Sequence, residues 1–367
     1  MRKIFKEDPL YLHDSWDENM IEWVDLATSS RVNLVGTTNK EEAEFTRLTR
    51  EEQRIIAPIN DGIPWLSRCS AGIAVKFETN SHNLFFKISL RGKANMSHMP
   101  ATGQCGFDLY VFDERAGQYV FHNTGTYNHE LTEVHYQLSR FHLYDQKTRK
   151  YIVNFPLYEG PSKVLMGIDS GASLAPVYFS DERKIYMYGT SIMQGGCVSR
   201  PGMLYSNIIS RTLDMEVINF GFSGAANCEK EMAQFIAARP SPDLFIIDVE
   251  ANAGCTHLEE ERLEQLIDIF YEKSPNCPII ICSRMLFAMD LYDERRAKIK
   301  KFYRTFQKRV VKKYRALGKP ISFLDGDSYF KKLDLHFSEV TVDGIHPSDL
   351  GSYGIAMSYL KAIKKVL

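Results

Sequence analysis

Lys184-Ile185-Tyr186-Met187-Tyr188-Gly189-Thr190-Ser191-Ile192-Met193-Gln194-Gly195-Gly196 reads as a buried strand running into a turn. Its first half is too apolar for a strand with one wet face, and it breaks at Gly189 into a polar, glycine-flanked turn. An amphipathic segment, MLYSNIISRTL (203–213), follows. The same grammar then recurs: EVINFGF (216–222) before EKEMAQFIAA (229–238), DLFIIDVE (243–250) before LEEERLEQLIDIFYEK (258–273), PIIICSR (278–284) before a long helix, and ISFLDG (321–326). Buried strands alternating with amphipathic helices predict a parallel sheet covered on both faces, with right-handed crossovers. In the long helix, the twelve Lys and Arg between Arg295 and Lys319 are interleaved with Ile299, Phe302, Phe306, Val310, Tyr314 and Leu317 at three- to four-residue spacing. That pattern makes the basic residues the solvated face of an amphipathic helix rather than an anion-binding patch.

Upstream the grammar is different. AGIAVKFET (71–79), NLFFKISLRG (83–92), FDLYVFDE (107–114), QYVFHNTGTY (118–127), EVHYQLSRFHLYD (133–145), YIVNFPLY (151–158) and KVLMGID (163–169) alternate with period two between turn-formers. This is the pattern of an antiparallel all-β domain, a sandwich of jelly-roll type. A short helix is expected around Thr49 to Ile55. The boundary falls in the loop from Pro176 to Glu182, giving a β-sandwich domain over 1–178 and an α/β domain over 183–367.

Across 367 residues, 45 Lys and Arg face 46 Asp and Glu, a formal charge of -1, so no basic excess is available to neutralise a nucleic-acid backbone. The seven cysteines, Cys69, Cys105, Cys197, Cys228, Cys255, Cys277 and Cys282, are odd in number and scattered, which predicts neither a disulfide framework nor a structural metal. The opening MRKIFKEDPLYLHDSWDENM is too charged for a secretory signal, and no run of eighteen apolar residues occurs. The expectation is a cytoplasmic protein with no membrane or nucleic-acid partner; oligomeric state is not legible. Trp16, Trp23 and Trp65 are expected to pack in a core or interface rather than to stack on sugars.

In open parallel sheets, ligands bind beyond the carboxyl ends of the strands. After the first strand comes Ser191, placed where a helix N-terminus favours developing negative charge. After the second comes Asn219-Phe220-Gly221-Phe222-Ser223-Gly224, whose glycines let backbone N–H groups approach a ligand. The third is followed by Asn252, an amide able to donate to an oxyanion. Near the end of the sequence, Asp343-Gly344-Ile345-His346 offers an imidazole and a carboxylate to orient it, just ahead of a final helix beginning near Ser348. Taken singly, each has an ordinary explanation as a helix cap or a tight turn. Their order along the chain is what carries the signal.

That ordered set resembles the SGNH hydrolases, also called the GDSL esterase/lipase family, over residues 183 to 367. The resemblance implies a three-layer, flavodoxin-like α/β domain with Ser191 as nucleophile, His346 as general base and Asp343 as its orienting acid. It also implies an oxyanion hole built from the Ser191 N–H, Gly224 and Asn252, with no metal or other cofactor. Departures from the family pattern are Thr190 at the usual aspartate, and Glu250 and Ala251 beside Asn252 where glycine and aspartate are frequent. Gly106-Phe107-Asp108-Leu109-Tyr110 looks like the G-x-D-L-Y signature of a β domain that precedes some members, and NFPLYEG (154–160) fits the same two-domain group. The motif itself reads as structural, with Gly106 permitting a bulge or positive φ and Asp108 bonding the local backbone.

Together these features imply a serine esterase that cleaves short-chain, acetyl-type esters on carbohydrate through an acyl-enzyme. Alternatives are a phospholipid-type acylhydrolase, a thioesterase or an acyltransferase with the same site, and a non-catalytic carbohydrate-binding protein. Gln194, Arg200 and Arg284 are candidate substrate contacts. Cys197, with no adjacent histidine, reads as a buried small hydrophobe.

Overall fold

Period-two alternation and near-continuous apolar runs build two different units. The computed structural model describes residues 16–140, 147–254, 261–331 and 337–367. One compact unit takes residues up to Thr46, Arg68–Phe179 and Ser199–Gly202; the other takes Arg47–Ser67, Ser180–Val198 and Met203 onward.

In the first unit the strands run β1 (Ile21–Asp25), β2 (Asn33–Val35), β3 (Ala74–Thr79), β4 (Asn83–Leu90), β5 (Asp108–Asp113), β6 (Gln118–Thr124), β7 (Glu133–Arg140), β8 (Arg149–Asn154), β9 (Pro161–Asp169) and β10 (Leu174–Pro176). They form two antiparallel sheets, ordered β1-β9-β4-β7 and β10-β3-β8-β5-β6, with β2 on the edge of β3. Leu84, Phe86 and Ile88 of β4 and Val164, Met166 and Ile168 of β9 share one core with Val75 and Phe77 of β3 and Tyr151 and Val153 of β8. Each such fully buried side chain contributes roughly 1.5–3 kcal/mol, which makes the sandwich core the source of this unit's stability. Trp16 packs over Phe85, with ring centroids 5.0 Å apart, whereas Trp65 is 51% exposed.

The Gly106–Tyr110 motif differs from its sequence reading in two ways. A Cβ on Gly106 would lie 2.3 Å from the Thr102 carbonyl oxygen, so the glycine serves a close backbone approach rather than a positive φ. Asp108, fully buried, reaches across sequence rather than locally. It accepts hydrogen bonds from Arg200 Nη1 at 2.9 Å, the Gly202 N–H at 2.7 Å and Asn154 Nδ2 at 2.8 Å. The Arg200 guanidinium also donates to the Tyr110 hydroxyl at 2.7 Å and lies 3.7 Å from the centre of the Phe121 ring. The motif therefore anchors the strap Ser199–Gly202.

The second unit holds β11 (Asp181–Gly189), β12 (Met215–Gly221), β13 (Leu244–Asp248), β14 (Ile279–Cys282) and β15 (Ile321–Leu324) in one parallel sheet ordered β12-β11-β13-β14-β15. β12, β13 and β14 are buried along their whole length, as their apolar runs predict. Because the chain passes from β11 to β12 on one side and then to β13 on the other, the order reverses at β11, and the carboxyl end of β11 is the position where open α/β sheets bind ligands. The early helix spans Arg50–Ile56 and is closed by a capping box between Thr49 and Glu52.

The basic helix, Glu294–Ala316, departs from its sequence pattern. Phe306, Val310 and Tyr314 are buried, whereas Ile299, Phe302 and Leu317 are exposed. Lys300 is turned inward instead, onto Asp327, and Arg304 pairs with Asp325 and Asp327. The acidic turn after β15 rotates the first half of the helix, an ionic preference that hydrophobic spacing does not encode. All six described cysteines are buried free thiols; Cys255 lies outside the described residues, as does the start of the helix expected over 258–273, which is described as Leu263–Lys273.

Replacing Asp108 by Ala strands a largely buried guanidinium and one backbone N–H, a loss expected to cost about 3–5 kcal/mol. A chemical-denaturation midpoint equal to that of the wild type would show that the anchor contributes nothing.

Candidate active site

Ser191 opens a single-turn helix, Ser191–Gln194, directly beyond β11. Thr190 caps it, its hydroxyl accepting from the Ile192 N–H at 3.4 Å, so threonine performs the capping that an aspartate would perform here. Gly221 makes room for this helix: a Cβ there would stand 2.4 Å from the Gln194 nitrogen, whereas one on Gly189 would stand 2.6 Å from the Asp248 carbonyl oxygen of the neighbouring strand. The buried amide of Asn219 then locks the layers: Nδ2 donates to the Met193 carbonyl at 2.7 Å and to Ser206 Oγ at 2.9 Å, while Oδ1 accepts from the Gly221 N–H at 2.7 Å.

The loop 343–346 meets this helix. Ser191 Oγ lies 2.9 Å from His346 Nε2, and His346 Nδ1 lies 2.7 Å from Asp343 Oδ2. The other oxygen of Asp343 accepts from the backbone N–H groups of Ile345 at 3.0 Å and His346 at 2.7 Å, which fixes the carboxylate before it touches the ring. Gly344 provides the turn with φ +85°. Partial burial pushes the Asp343 carboxyl up, but hydrogen bonds from the His346 ring and from the two backbone N–H groups outweigh it and hold the group down at about 2. Asp343 is thus a charged acceptor throughout the neutral range, oriented to take a proton-bearing Nδ1 and leave Nε2 as acceptor for Ser191.

The donor side comes from three segments. Asn252 Nδ2 donates one hydrogen to the Phe222 carbonyl at 3.2 Å, which ties its side chain to the 219–224 turn and leaves the second hydrogen. Gly224 adopts φ +71°, and neither its N–H nor that of Ser191 is taken by an internal acceptor among the described residues. Gln194 is completely buried, with Oε1 accepting from the Ser223 N–H at 2.9 Å, so it braces that turn instead of facing a ligand. Arg284 and Arg200 are likewise spent on protein: Arg284 forms a fork with Asp290 at 2.6 and 2.8 Å, and Arg200 is bound to Asp108. Cys197 Sγ, Asp343 and His346 offer ligand atoms within 4.8 Å of one another. Burial and the Asp343 charge push the thiol up to about 12, and the other two groups are hydrogen-bonded to each other.

Two buried carboxyls behind the site escaped the sequence reading. Asp248, at the end of β13, accepts from the Tyr359 hydroxyl at 2.6 Å, and burial pushes it up to about 7 against that bond. Glu250, two residues before Asn252, is pushed up by burial to about 7 in spite of Arg284. The available signal was the adjacency of acidic residues to an apolar run, DLFIIDVE, but an acid after a strand is ordinarily solvated.

The model of the GDSL-like lipase/acylhydrolase family matches residues 182–365, and that of the N-terminus of SGNH hydrolase-type esterases matches residues 21–174. The chain belongs to the GDSL-like lipase/acylhydrolase family, in the group that carries the G-x-D-L-Y domain, and it is an ester-hydrolysing enzyme. Among solved structures, a Bacteroides ovatus protein assigned as a GDSL-like lipase is 26% identical, with a TM-score of 0.82 over 94% of this chain and 98% of that one. A salicylyl-acyltransferase from a tetracycline biosynthetic pathway shares the fold at 17% identity, TM-score 0.77, over 96% of this chain and 99% of that one. A family two carbohydrate esterase from Clostridium thermocellum, solved with cellohexaose, does so at 15% identity, TM-score 0.58, over 80% and 92%. No curated protein matches the chain in sequence.

The Asp248 assignment predicts a pH signature. An unfolded aspartate titrates near 3.8 and the folded one near 7, so within that window the native state holds a proton that the unfolded chain lacks. Its contribution is complete below the lower value and is lost as pH rises through the upper one. Melting temperatures from pH 4 to 8 should therefore fall less steeply in Asp248→Asn than in the wild type. Identical slopes would place the titration elsewhere.

Proposed function

We propose that the enzyme is a serine esterase acting through a covalent acyl-enzyme, with acetyl or another short acyl group on a carbohydrate as its substrate. The observation that carries this reading is the Ser191–His346–Asp343 relay, with 2.9 and 2.7 Å links between groups 155 and 3 residues apart in sequence. In the forward step Ser191 Oγ attacks the ester carbonyl while His346 Nε2 takes its proton, and Asp343 stabilises the imidazolium that forms. Charge builds on the carbonyl oxygen, where the N–H groups of Ser191 and Gly224 and the amide of Asn252 receive it. Collapse expels the alcohol, protonated by His346. Water, deprotonated by the same imidazole, then attacks the acyl-serine and releases the acid.

Support for a carbohydrate ester comes from the likeness to a carbohydrate esterase solved with cellohexaose. A second reading, transfer of the acyl group to an acceptor alcohol, is favoured by the likeness to an acyltransferase over nearly the whole chain. The two differ only in what attacks the acyl-serine.

Hydrolysis of 4-nitrophenyl acetate and octanoate distinguishes these readings. Acetate should be the better substrate, Ser191→Ala should lose turnover while keeping the wild-type melting temperature, and Asn252→Ala should lower kcat about a hundredfold. A Ser191→Ala variant as active as the wild type would refute the acyl-enzyme. Added alcohols that accelerate nitrophenol release and take up the acyl group would turn the assignment to transfer.

A further inference from the structure

We propose that Arg284, clamped between Glu250 and Asp290, is a positioning residue that holds the Asn252 segment and the Asp343–His346 loop in register, an inference that rests on the serine-esterase reading above. Arg284 follows β14, and its side chain is 10% exposed against 1% for each carboxylate. Toward Asn252, its backbone N–H donates to Glu250 Oε2 at 3.0 Å and its Nε lies 3.6 Å from Glu250 Oε1. Glu250 is the first residue of the helical turn Glu250–Ala253 that carries Asn252. Its Oε1 takes no hydrogen bond among the described residues, so the guanidinium charge is what compensates that oxygen.

In the other direction, the fork of Arg284 grips both oxygens of Asp290 at 2.6 and 2.8 Å, and its plane lies 4.3 Å from the centre of the Phe287 ring. Asp290 Oδ2 accepts from the Phe287 N–H at 2.9 Å, closing the turn 287–290. The next N–H in that turn, of Ala288, donates to the Gly344 carbonyl at 2.9 Å. Gly344 lies between Asp343 and His346, and a Cβ there would meet the Ala288 side chain at 3.0 Å. One buried guanidinium thus connects the segment bearing an oxyanion donor to the loop bearing the base and its acid. Burying a guanidinium with two carboxyls is costly and stabilises a fold poorly compared with apolar packing, but their directional bonds define one geometry. Both ends of this network terminate on segments that the reaction uses.

The test is steady-state hydrolysis of 4-nitrophenyl acetate by the wild type and Arg284→Lys, which keeps the charge and loses the planar fork. Displacements on the order of 1 Å cost about a hundredfold in rate. The expected result is therefore a kcat lowered by about 10- to 100-fold with KM within about threefold. In an Asp343→Asn background the same substitution should cost less than in the wild type, because the loop it holds no longer supplies the acid. A lower melting temperature with unchanged kcat, a loss confined to KM, or full additivity with Asp343→Asn would each overturn the proposal. Should Arg284→Lys not fold, Asp290→Asn removes the same fork and is read by the same criteria. Ser191→Ala, run beside them, separates the two levels: activity retained there sinks the esterase reading itself, whereas activity lost there and retained in Arg284→Lys sinks only the positioning role.

Discussion

A helix of one turn lies across the ends of β11 and β12 at backbone contact distance, and the rest of the site depends on that approach. It is possible only because position 221 carries no Cβ, and it is held by the Asn219 amide, which bonds the helix and Gly221 together. Given that contact, Ser191 stands at the switch point of the sheet with its N–H not taken by any acceptor among the described residues, and Gln194 reaches under the 219–224 turn to fix Ser223. The groups proposed as oxyanion donors therefore sit on mutually bonded segments. Preorganisation of this kind lets hydrogen bonds act on the transition state without reorganising at the moment of reaction.

Three carboxyls around the strand ends show how one domain divides electrostatic work. Asp343 is held at about 2 because its hydrogen-bond donors outweigh its burial, and it serves as a permanent negative charge beside the imidazole. Asp248 and Glu250 are pushed up to about 7 because burial outweighs theirs. The first is exchanged against a tyrosine hydroxyl and the second against a guanidinium. Environment rather than residue type decides which acid is charged.

Much of this was legible in the sequence. The four apolar runs with their helices predicted the parallel sheet, and period-two alternation predicted the sandwich, because both patterns report directly on which faces are buried. The strand-end residues Ser191, Asn252, Asp343 and His346 stood out because their order along the chain is improbable by chance. Side-chain direction was less accessible. Arg200, Gln194 and Arg284 lie near the relevant loops in sequence, yet Arg200 is committed to Asp108, Gln194 to Ser223, and Arg284 to Glu250 as well as to the nearby Asp290. Such pairings depend on tertiary placement, which spacing does not report. The basic helix shows the same limit, since Lys300 is buried where hydrophobic periodicity places Ile299 and Phe302.

In the proposed reaction Ser191 is made nucleophilic by the relay behind it. Treatment of the native enzyme with a fluorophosphonate, followed by peptide mass spectrometry of the adduct, tests this. One phosphonyl group per chain is expected, on the peptide containing Ser191, with a labelling rate that collapses when His346 is replaced by Ala. Labelling of a different residue, or labelling of Ser191 at the same rate without the imidazole, would contradict it.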